Sequence, residues 1–120
     1  MSELAGYQYN YTSVPLYDTL GVSAIEFIVN QTEMETIIAS ADKAQILLNM
    51  KSSLPTLKNI VVMGAVDETL LTEGKELKIN VVSWTDIEAS GKATPVEAVH
   101  PTAEDIATIC YTSGTTGTPK

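Results

Sequence analysis

Residues 36–64 read TIIASADKAQILLNMKSSLPTLKNIVVMG, with a short β-branched run at each end and a helical pattern between them. The runs Thr36–Ala39 and Ile60–Met63 are too short for helices and are typical of buried strands. The enclosed helix is expected to begin after the N-cap residue Ser40 and to end at Pro55. Its apolar face is formed by Leu47, Met50 and Leu54. A strand, a helix and a second strand in this order predict two parallel strands joined by a right-handed crossover.

The sequence on both sides of this unit continues the alternation of helices and strands. On the amino-terminal side we expect an irregular lead-in over residues 1–13 and, from its apolar spacing, a helix over residues 21–31. On the other side we expect a loop or an excursion of no assigned shape at 65–78 and a strand at 79–82. After these we expect a short helix capped by Ser83 and ended by Gly91, a linker at 92–101 and a strand at 106–111. This alternation predicts an α/β fold with a parallel sheet, as a single partial domain over residues 1–120.

The composition is that of an acidic globular chain. Of its 120 residues 44% are hydrophobic and 18% are charged, which favours one compact unit. The formal net charge is -8 and all seven basic residues are lysines, so the clustered Arg and Lys that bind nucleic acid are missing. We therefore expect no nucleic-acid partner and place the acidic side chains on solvated faces.

The single cysteine and the apolar runs bear on the cellular compartment. Cys110 is expected to be a core residue, and one cysteine cannot form an internal disulfide, which favours a reduced, intracellular compartment. The sequence shows neither an apolar run as long as a membrane span nor the layout of a secretory signal at Met1. We expect Trp84 to pack at a helix start and His100 to be a solvated loop residue, because no second His or Cys lies near it to share a metal.

The last nine residues, 112–120, carry the clearest functional pattern. Two glycines, Gly114 and Gly117, allow the backbone to approach a ligand closely. The hydroxyl donors are Thr112, Ser113, Thr115, Thr116 and Thr118, and Lys120 adds a positive charge. Such a loop after a parallel strand is expected to hold phosphates, although ordinary turn chemistry explains the same composition. The spacing is not that of a Walker loop, because Pro119 stands where that motif needs glycine.

The order of residues 111–120, YTSGTTGTPK, resembles the phosphate-binding signature of the adenylate-forming superfamily, which includes acyl-CoA synthetases, luciferases and peptide-synthetase adenylation domains. Two upstream segments, residues 14–21 and 105–109, resemble the corresponding parts of long-chain fatty acyl-CoA synthetases. The resemblance implies part of a Rossmann-like layered sheet in the N-terminal domain of such a synthetase. It also implies an ATP-dependent ligase that joins a fatty acid to coenzyme A through an acyl-adenylate, with release of AMP and pyrophosphate.

The resemblance assigns roles to the loop residues. It implies that the ATP phosphates are bound by Thr112, Ser113, Gly114, Thr115, Thr116, Gly117, Thr118 and Lys120, with Mg²⁺ bridging the phosphate oxygens. The family's adenine pocket, metal-binding Glu and C-terminal catalytic Lys have no counterpart in these residues, so no complete catalytic set is present and we expect the isolated chain to be inactive. The family also implies an intracellular enzyme, at the cytosolic face of the endoplasmic reticulum, peroxisomes or lipid droplets, with peripheral membrane association of the whole enzyme.

Two other readings of the sequence stay open. The same α/β shell could be a non-catalytic binding module whose loop holds nothing, and binding of ATP that Gly117→Val abolishes would distinguish the nucleotide reading from it. Alternatively, the chain could be a truncated gene product with no independent activity. The coding sequence after Lys120 would decide that point.

Overall fold

The computed structural model describes residues 2–112, and these fall into two compact units. One unit comprises the described residues within 1–25 and 96–120, and the other is Glu26–Pro95. The assignment of residues 1–120 to a single domain stays a prediction.

Five helices and three strands form the described part of the chain. In chain order they are α1 (Ser2–Gln8), α2 (Val22–Gln31), β1 (Thr36–Ser40), α3 (Ala41–Asn49), β2 (Asn59–Met63), α4 (Glu68–Glu76), β3 (Asn80–Ser83) and α5 (Trp84–Ala93). The predicted helix at 21–31 and the three strands predicted at 36–39, 60–63 and 79–82 are confirmed to within one residue at each end.

The three strands form a parallel sheet in the order β1-β2-β3, as the strand-helix-strand pattern predicts. Ile37, Ile60 and Val81 stand side by side in the register and are all buried, as is Val62 two residues along β2. The predicted apolar face of the first crossover helix is also buried, and Leu54 has no exposed surface. Removal of these branched side chains from water is the main force that holds the sheet and its helices together.

The end of α3 differs from the prediction. The helix ends at Asn49, and a 3₁₀ turn at Lys51–Ser53 follows it before Pro55 is reached. The Met50 N–H is shared between the carbonyl oxygens of Ile46 and Leu47, at 3.1 and 3.2 Å, which is the geometry of a tightening last turn. Proline therefore lies beyond the helix end and does not cause it.

The segment at 65–78, which was expected to be a loop or excursion of no assigned shape, contains helix α4. Asp67 caps this helix by accepting a hydrogen bond from the Leu70 N–H at 2.8 Å. Only Leu70 and Gly74, one turn apart, are buried, so the apolar stripe is too narrow to stand out in a polar sequence. A Cβ at Gly74 would lie 2.5 Å from Cγ2 of Val81, so the missing side chain lets α4 lie directly on β3.

The predicted end of α5 and the irregular lead-in predicted at 1–13 are also wrong. The Ser83 cap is confirmed, since its Oγ accepts from the Asp86 N–H at 3.1 Å, but α5 continues through Gly91 to Ala93. Gly91 keeps a backbone that any residue adopts, so it does not end the helix. The irregular lead-in expected at 1–13 contains α1, whose Tyr7 hydroxyl donates to the Glu3 carboxylate four residues earlier, at 2.6 Å.

The strand expected at 106–111 is not formed. Among the described residues this segment makes a single parallel bridge, Ser13 with Thr108, and joins no ladder. Its β-branched residues favour an extended backbone, but a strand requires a partner of similar length, and one bridge does not provide it.

Candidate functional site

Nearly all of the predicted phosphate loop lies outside the described residues. Thr112 is described and exposed, whereas the description does not extend to Ser113, Gly114, Thr115, Thr116, Gly117, Thr118 and Lys120. Their roles stay a prediction. The structure does describe the segment that leads into the loop, and Tyr111, directly before Thr112, is only 8% exposed.

The lead-in segment is held by the backbone of Ser13. The Ser13 N–H donates to the Ala107 carbonyl oxygen and the Ile109 N–H donates to the Ser13 carbonyl oxygen, both at 2.9 Å. One residue earlier, the Thr12 hydroxyl donates to the Ile106 carbonyl oxygen at 2.8 Å. These bonds place residues 106–109 beside residues 12–13, and they do so close in sequence to the start of the predicted loop.

The side chains of four residues meet at the β-bridge between Ser13 and Thr108. The Tyr7 hydroxyl lies 2.6 Å from Glu3 Oε1 and 2.6 Å from Thr108 Oγ1, and Ser13 Oγ lies 2.7 Å from Thr108 Oγ1. Tyr7, Ser13 and Thr108 are each partly buried. This cluster was not predicted from the sequence, because Thr108 lies 101 residues from Tyr7 and 95 residues from Ser13 in the chain. The only local signal was the helical spacing of Glu3 and Tyr7.

Asp105 organises the turn that precedes the lead-in segment. Its Oδ2 accepts from the Thr102 N–H at 2.7 Å and from the Thr102 hydroxyl at 2.8 Å. These bonds, with a further one from the Asn10 side chain, stabilise the carboxylate and hold the pKa of Asp105 below its ordinary value. A Thr three residues before an Asp is the sequence pattern of such a turn, so this signal was available.

Cys110 is not the core residue that its apolar neighbours suggested. It is exposed, and its Sγ lies 3.5 Å from the hydroxyl of Tyr17. The contact raises the pKa of Tyr17, first through the hydrogen bond to Cys110 and then through repulsion between phenolate and thiolate. The difference has a simple cause: without a strand at 106–111, alternate residues of the segment are not driven into a core.

At the carboxyl edge of the described three-stranded sheet, the helix starts are occupied by carboxylates. The helices that begin there are α3, α4 and α5, and each has a carboxylate of its own in or beside its first turn: Asp42, Asp67 and Asp86. Ser40 donates to Asp42 at 2.5 Å and thereby lowers the pKa of that carboxyl. These carboxylates complement the positive ends of the helix dipoles, which a bound phosphate would otherwise do.

The described part of the chain offers neither a metal site nor a membrane span. Residues 2–112 contain no group of three or more His, Cys, Asp or Glu side chains that could hold a metal ion. His100 is exposed, as expected, and the indole of Trp84 donates to Glu88 at 3.1 Å within the first turns of α5. No helix within these residues has both the length and the apolar character needed to cross a bilayer.

Similar solved structures share the fold. The adenylation domain of a carboxylate reductase from Mycobacterium chelonae superposes with a TM-score of 0.81 at 23% identity, over 98% of this chain and 20% of that one. The A-PCP didomain of a carboxylic acid reductase from Segniliparus rugosus, in complex with AMP, gives 0.81 at 24% identity over 98% of this chain and 18% of that one. The parallel α/β arrangement is therefore that of part of an adenylation domain.

Similar sequences are found among long-chain acyl-CoA synthetases. The peroxisomal long chain acyl-CoA synthetase 6 of Arabidopsis thaliana is 43% identical over 112 residues, 93% of this chain and 16% of that protein. Long-chain-fatty-acid–CoA ligase 5 of Mus musculus is 42% identical over 123 aligned positions, all of this chain and 18% of that protein. The chain thus spans less than a fifth of the length of these relatives. The model of the family described as AMP-binding enzyme matches residues 1–120, and the chain belongs to that family.

Proposed function

We propose that this chain is part of an ATP-dependent long-chain fatty acid–CoA ligase. The observation that carries the proposal is the residue order of the loop Thr112–Lys120 in a chain that belongs to the AMP-binding enzymes. Relatives named as long-chain acyl-CoA synthetases and ligases support the fatty acid as substrate. The activity is proposed for a complete ligase that contains these residues.

The reaction has two displacements at different atoms. The carboxylate oxygen of the fatty acid attacks the α-phosphorus of ATP, forming an acyl-adenylate as pyrophosphate leaves. The thiol sulfur of coenzyme A then attacks the acyl carbonyl carbon, loses its proton and displaces AMP. Acyl-CoA, AMP, pyrophosphate and the released thiol proton account for all atoms of the three substrates.

The loop's donor set fits the terminal phosphates of ATP. The hydroxyls of Thr112, Ser113, Thr115, Thr116 and Thr118 supply donors to the β- and γ-phosphate oxygens. Gly114 and Gly117 let the backbone N–H groups approach, and Lys120 offsets negative charge on the departing pyrophosphate. In this scheme the loop orients ATP and stabilises charge, and it performs no covalent step.

Mg²⁺ enters the proposal only as the counter-ion of the ATP phosphates, where it would supply charge neutralisation. Residues 2–112 hold no carboxylate or imidazole cluster suited to it, so these residues are not assigned as its ligands. Coenzyme A and the fatty acid are the other partners, and the acidic, arginine-free composition supports no nucleic-acid partner.

The cellular location is proposed from the names of relatives, and membrane association from the family resemblance. Two plant relatives are named as peroxisomal, which supports an intracellular ligase; the cytosolic face of the endoplasmic reticulum and lipid droplets are the other compartments proposed. Peripheral membrane association is proposed for the whole enzyme only.

The test uses the complete ligase and a triple variant of the loop. Thr115→Ala, Thr116→Ala and Lys120→Ala together remove two hydroxyl donors and one charge, and we expect kcat/KM for ATP to fall by at least about a hundred-fold. A matched triple variant, Thr72→Ala, Thr85→Ala and Lys92→Ala, changes the same residue types at exposed helical positions and is expected to leave kcat/KM unchanged. Full acid-activating rate and ATP affinity in the loop variant would refute the proposal.

The chain of 120 residues is expected to be inactive alone, because a phosphate loop does not orient both the carboxylate and the α-phosphate. The measurement is pyrophosphate release from ATP and palmitate by the purified chain, compared with Lys120→Ala. Release above that control would contradict this expectation.

A further inference from the structure

A groove lies between the end of helix α1 and residues 101–107, within one of the two compact units. Helix α1 is closed by the Tyr11 N–H, which donates to the Gly6 carbonyl oxygen at 2.9 Å, and Asn10 turns the chain there with a left-handed φ of 58°. The groove has a volume of about 140 Å³. Pockets for drug-sized ligands are about 300–1,000 Å³, so this groove has room for a single side chain.

The lining of the groove is aromatic and apolar, with one charged group. Tyr7 and Tyr11 line it on the helix side, and Pro101 and Ile106 line it on the other side. Asp105 is the one charged residue among those that line it. The faces of aromatic rings and a carboxylate both attract positive charge, so the chemistry of the groove suits a cation that carries an apolar stem.

The hydrogen bonds of Asp105 decide which kind of cation fits. An ionised carboxylate has about four acceptor positions. Three are used, because Oδ2 accepts from the N–H and the hydroxyl of Thr102, at 2.7 and 2.8 Å, and the carboxylate also accepts from the Asn10 side chain. The position that is left suits one ammonium donor, whereas a guanidinium pairs with both carboxylate oxygens at once.

The rim of the groove points to a polypeptide as the source of this ammonium group. Tyr11 is 70% exposed and Ile106 is 63% exposed, so apolar surface continues beyond a groove that holds only one side chain. Residues that flank a lysine in a polypeptide can cover this surface, whereas a free amine cannot. The net charge of -8 also attracts a basic partner over a longer distance.

We propose that this groove binds a lysine side chain of a protein partner, with the ammonium group on Asp105 and the stem along the Tyr11 ring. The proposal goes beyond the ligase activity and does not depend on it. One lysine in an open groove forms a weak complex, because water screens the charge pair, and we expect a Kd of about 1 mM for a short peptide.

The experiment titrates the complete protein with the peptide acetyl-Ala-Leu-Lys-Leu-Ala-amide and measures the Kd by saturation-transfer difference NMR. Asp105→Asn keeps an acceptor for Thr102 but loses the charge, and it is expected to raise the Kd at least about five-fold. Tyr11→Leu keeps an apolar side chain but loses the ring face, and it is expected to raise the Kd about two- to three-fold.

Matched variants of the protein serve as controls. Asp86→Asn removes an exposed carboxylate of α5 that accepts from Ser83, and Tyr17→Leu removes an exposed ring that does not line the groove. Both are expected to leave the Kd of the lysine peptide unchanged.

Changes to the probe test the chemistry on the unaltered protein, so they remain decisive even if a variant does not fold. Norleucine in place of lysine keeps the stem and loses the charge, and arginine keeps the charge and loses the single compact donor. Each is expected to bind at least about five-fold more weakly than the lysine peptide. Free butylammonium, which lacks the flanking residues, is expected to bind at least about five-fold more weakly as well.

Several results would overturn the proposal: no binding of the lysine peptide, an unchanged Kd in Asp105→Asn, equal binding of the norleucine peptide, or equal binding of the arginine peptide. Butylammonium that binds as tightly as the peptide would identify a site for a free amine and would overturn the protein partner. Fatty-acid activation by the same preparation tests the proposed function separately. An active ligase that does not bind the lysine peptide overturns only the role of the groove.

Discussion

Substitution by alanine at two helical glycines of this chain is expected to change the free energy of unfolding in opposite directions. Gly74 is buried in α4 and faces β3, whereas Gly91 is exposed in α5, and a Cβ added there would have nothing within 4 Å of it. In an isolated helix both changes to alanine would be favourable, because glycine has more backbone freedom to lose on folding. Packing alone distinguishes the two positions.

The magnitudes follow from the distances. At Gly74 a Cβ would lie 2.5 Å from Cγ2 of Val81 and 3.1 Å from the carbonyl oxygen of Ile79, and the second atom belongs to the backbone of the sheet edge. Overpacking of this kind costs about 1–3 kcal/mol, against a gain of roughly 0.5–1 kcal/mol in helix propensity. We expect Gly74→Ala to destabilise the fold by about 1–2 kcal/mol and Gly91→Ala to stabilise it by about 0.5–1 kcal/mol.

The free energy of unfolding of both variants is measured by urea unfolding, followed by the fluorescence of Trp84, the single tryptophan of this chain. A gap of roughly 2 kcal/mol between the variants corresponds to about 10 °C in Tm for a unit of this size. Val81→Ala removes the nearest clashing atom, so its combination with Gly74→Ala is expected to be less destabilising than the sum of the single changes. Equal stabilisation by Gly74→Ala and Gly91→Ala would refute the close approach of α4 to β3.

Three further predictions concern charged and titrating groups. Lys51 is partly buried and donates to the carbonyl oxygens of Leu54 and Leu57, so Lys51→Met is expected to lower the free energy of unfolding by about 1–2 kcal/mol. The control, Lys58→Met, breaks only an exposed ion pair with Glu35. It is expected to change the free energy of unfolding by less than about 0.5 kcal/mol in the same urea assay. Because the pKa of Asp105 is lowered in the folded state, its hydrogen bonds stabilise the fold above the ordinary aspartate pKa of about 4, and this stabilisation is lost as the pH falls through the folded-state pKa. The Tm of Asp105→Asn should therefore fall less steeply with decreasing pH than the Tm of the wild type. Parallel curves of Tm against pH would contradict this prediction. The contact with Cys110 stabilises the neutral phenol of Tyr17 and so raises its pKa, and this stabilisation is lost as the pH rises through the folded-state pKa. Cys110→Ala should therefore shift the ultraviolet titration of Tyr17 to lower pH, with the Tyr17 signal isolated by subtracting the titration of Tyr17→Phe. An unchanged titration would show that the contact is absent in solution.

Patterns that are local in the chain sufficed for the parallel sheet, for α2 and for the cap of α5. Branched apolar runs such as Ile60–Met63 have little alternative to a buried strand, and Ser83 with Asp86 satisfies helix donors within one turn, so neighbouring residues carry the whole signal. The signature at residues 111–120 likewise needed no coordinates, since family membership is a property of residue order.

Other features depended on residues far apart in sequence. Helix α4 exists in a polar segment because Gly74 permits contact with β3, and the extended segment 106–111 stays out of a ladder because its partner is one residue, Ser13. The exposure of Cys110 and the hydrogen-bonded cluster of Glu3, Tyr7, Ser13 and Thr108 follow from the same placement. Secondary-structure propensity describes the conformation that a segment favours by itself. Which other segment it packs against is decided by contacts between residues up to a hundred positions apart, and the spacing of neighbouring residues in the sequence does not encode those contacts.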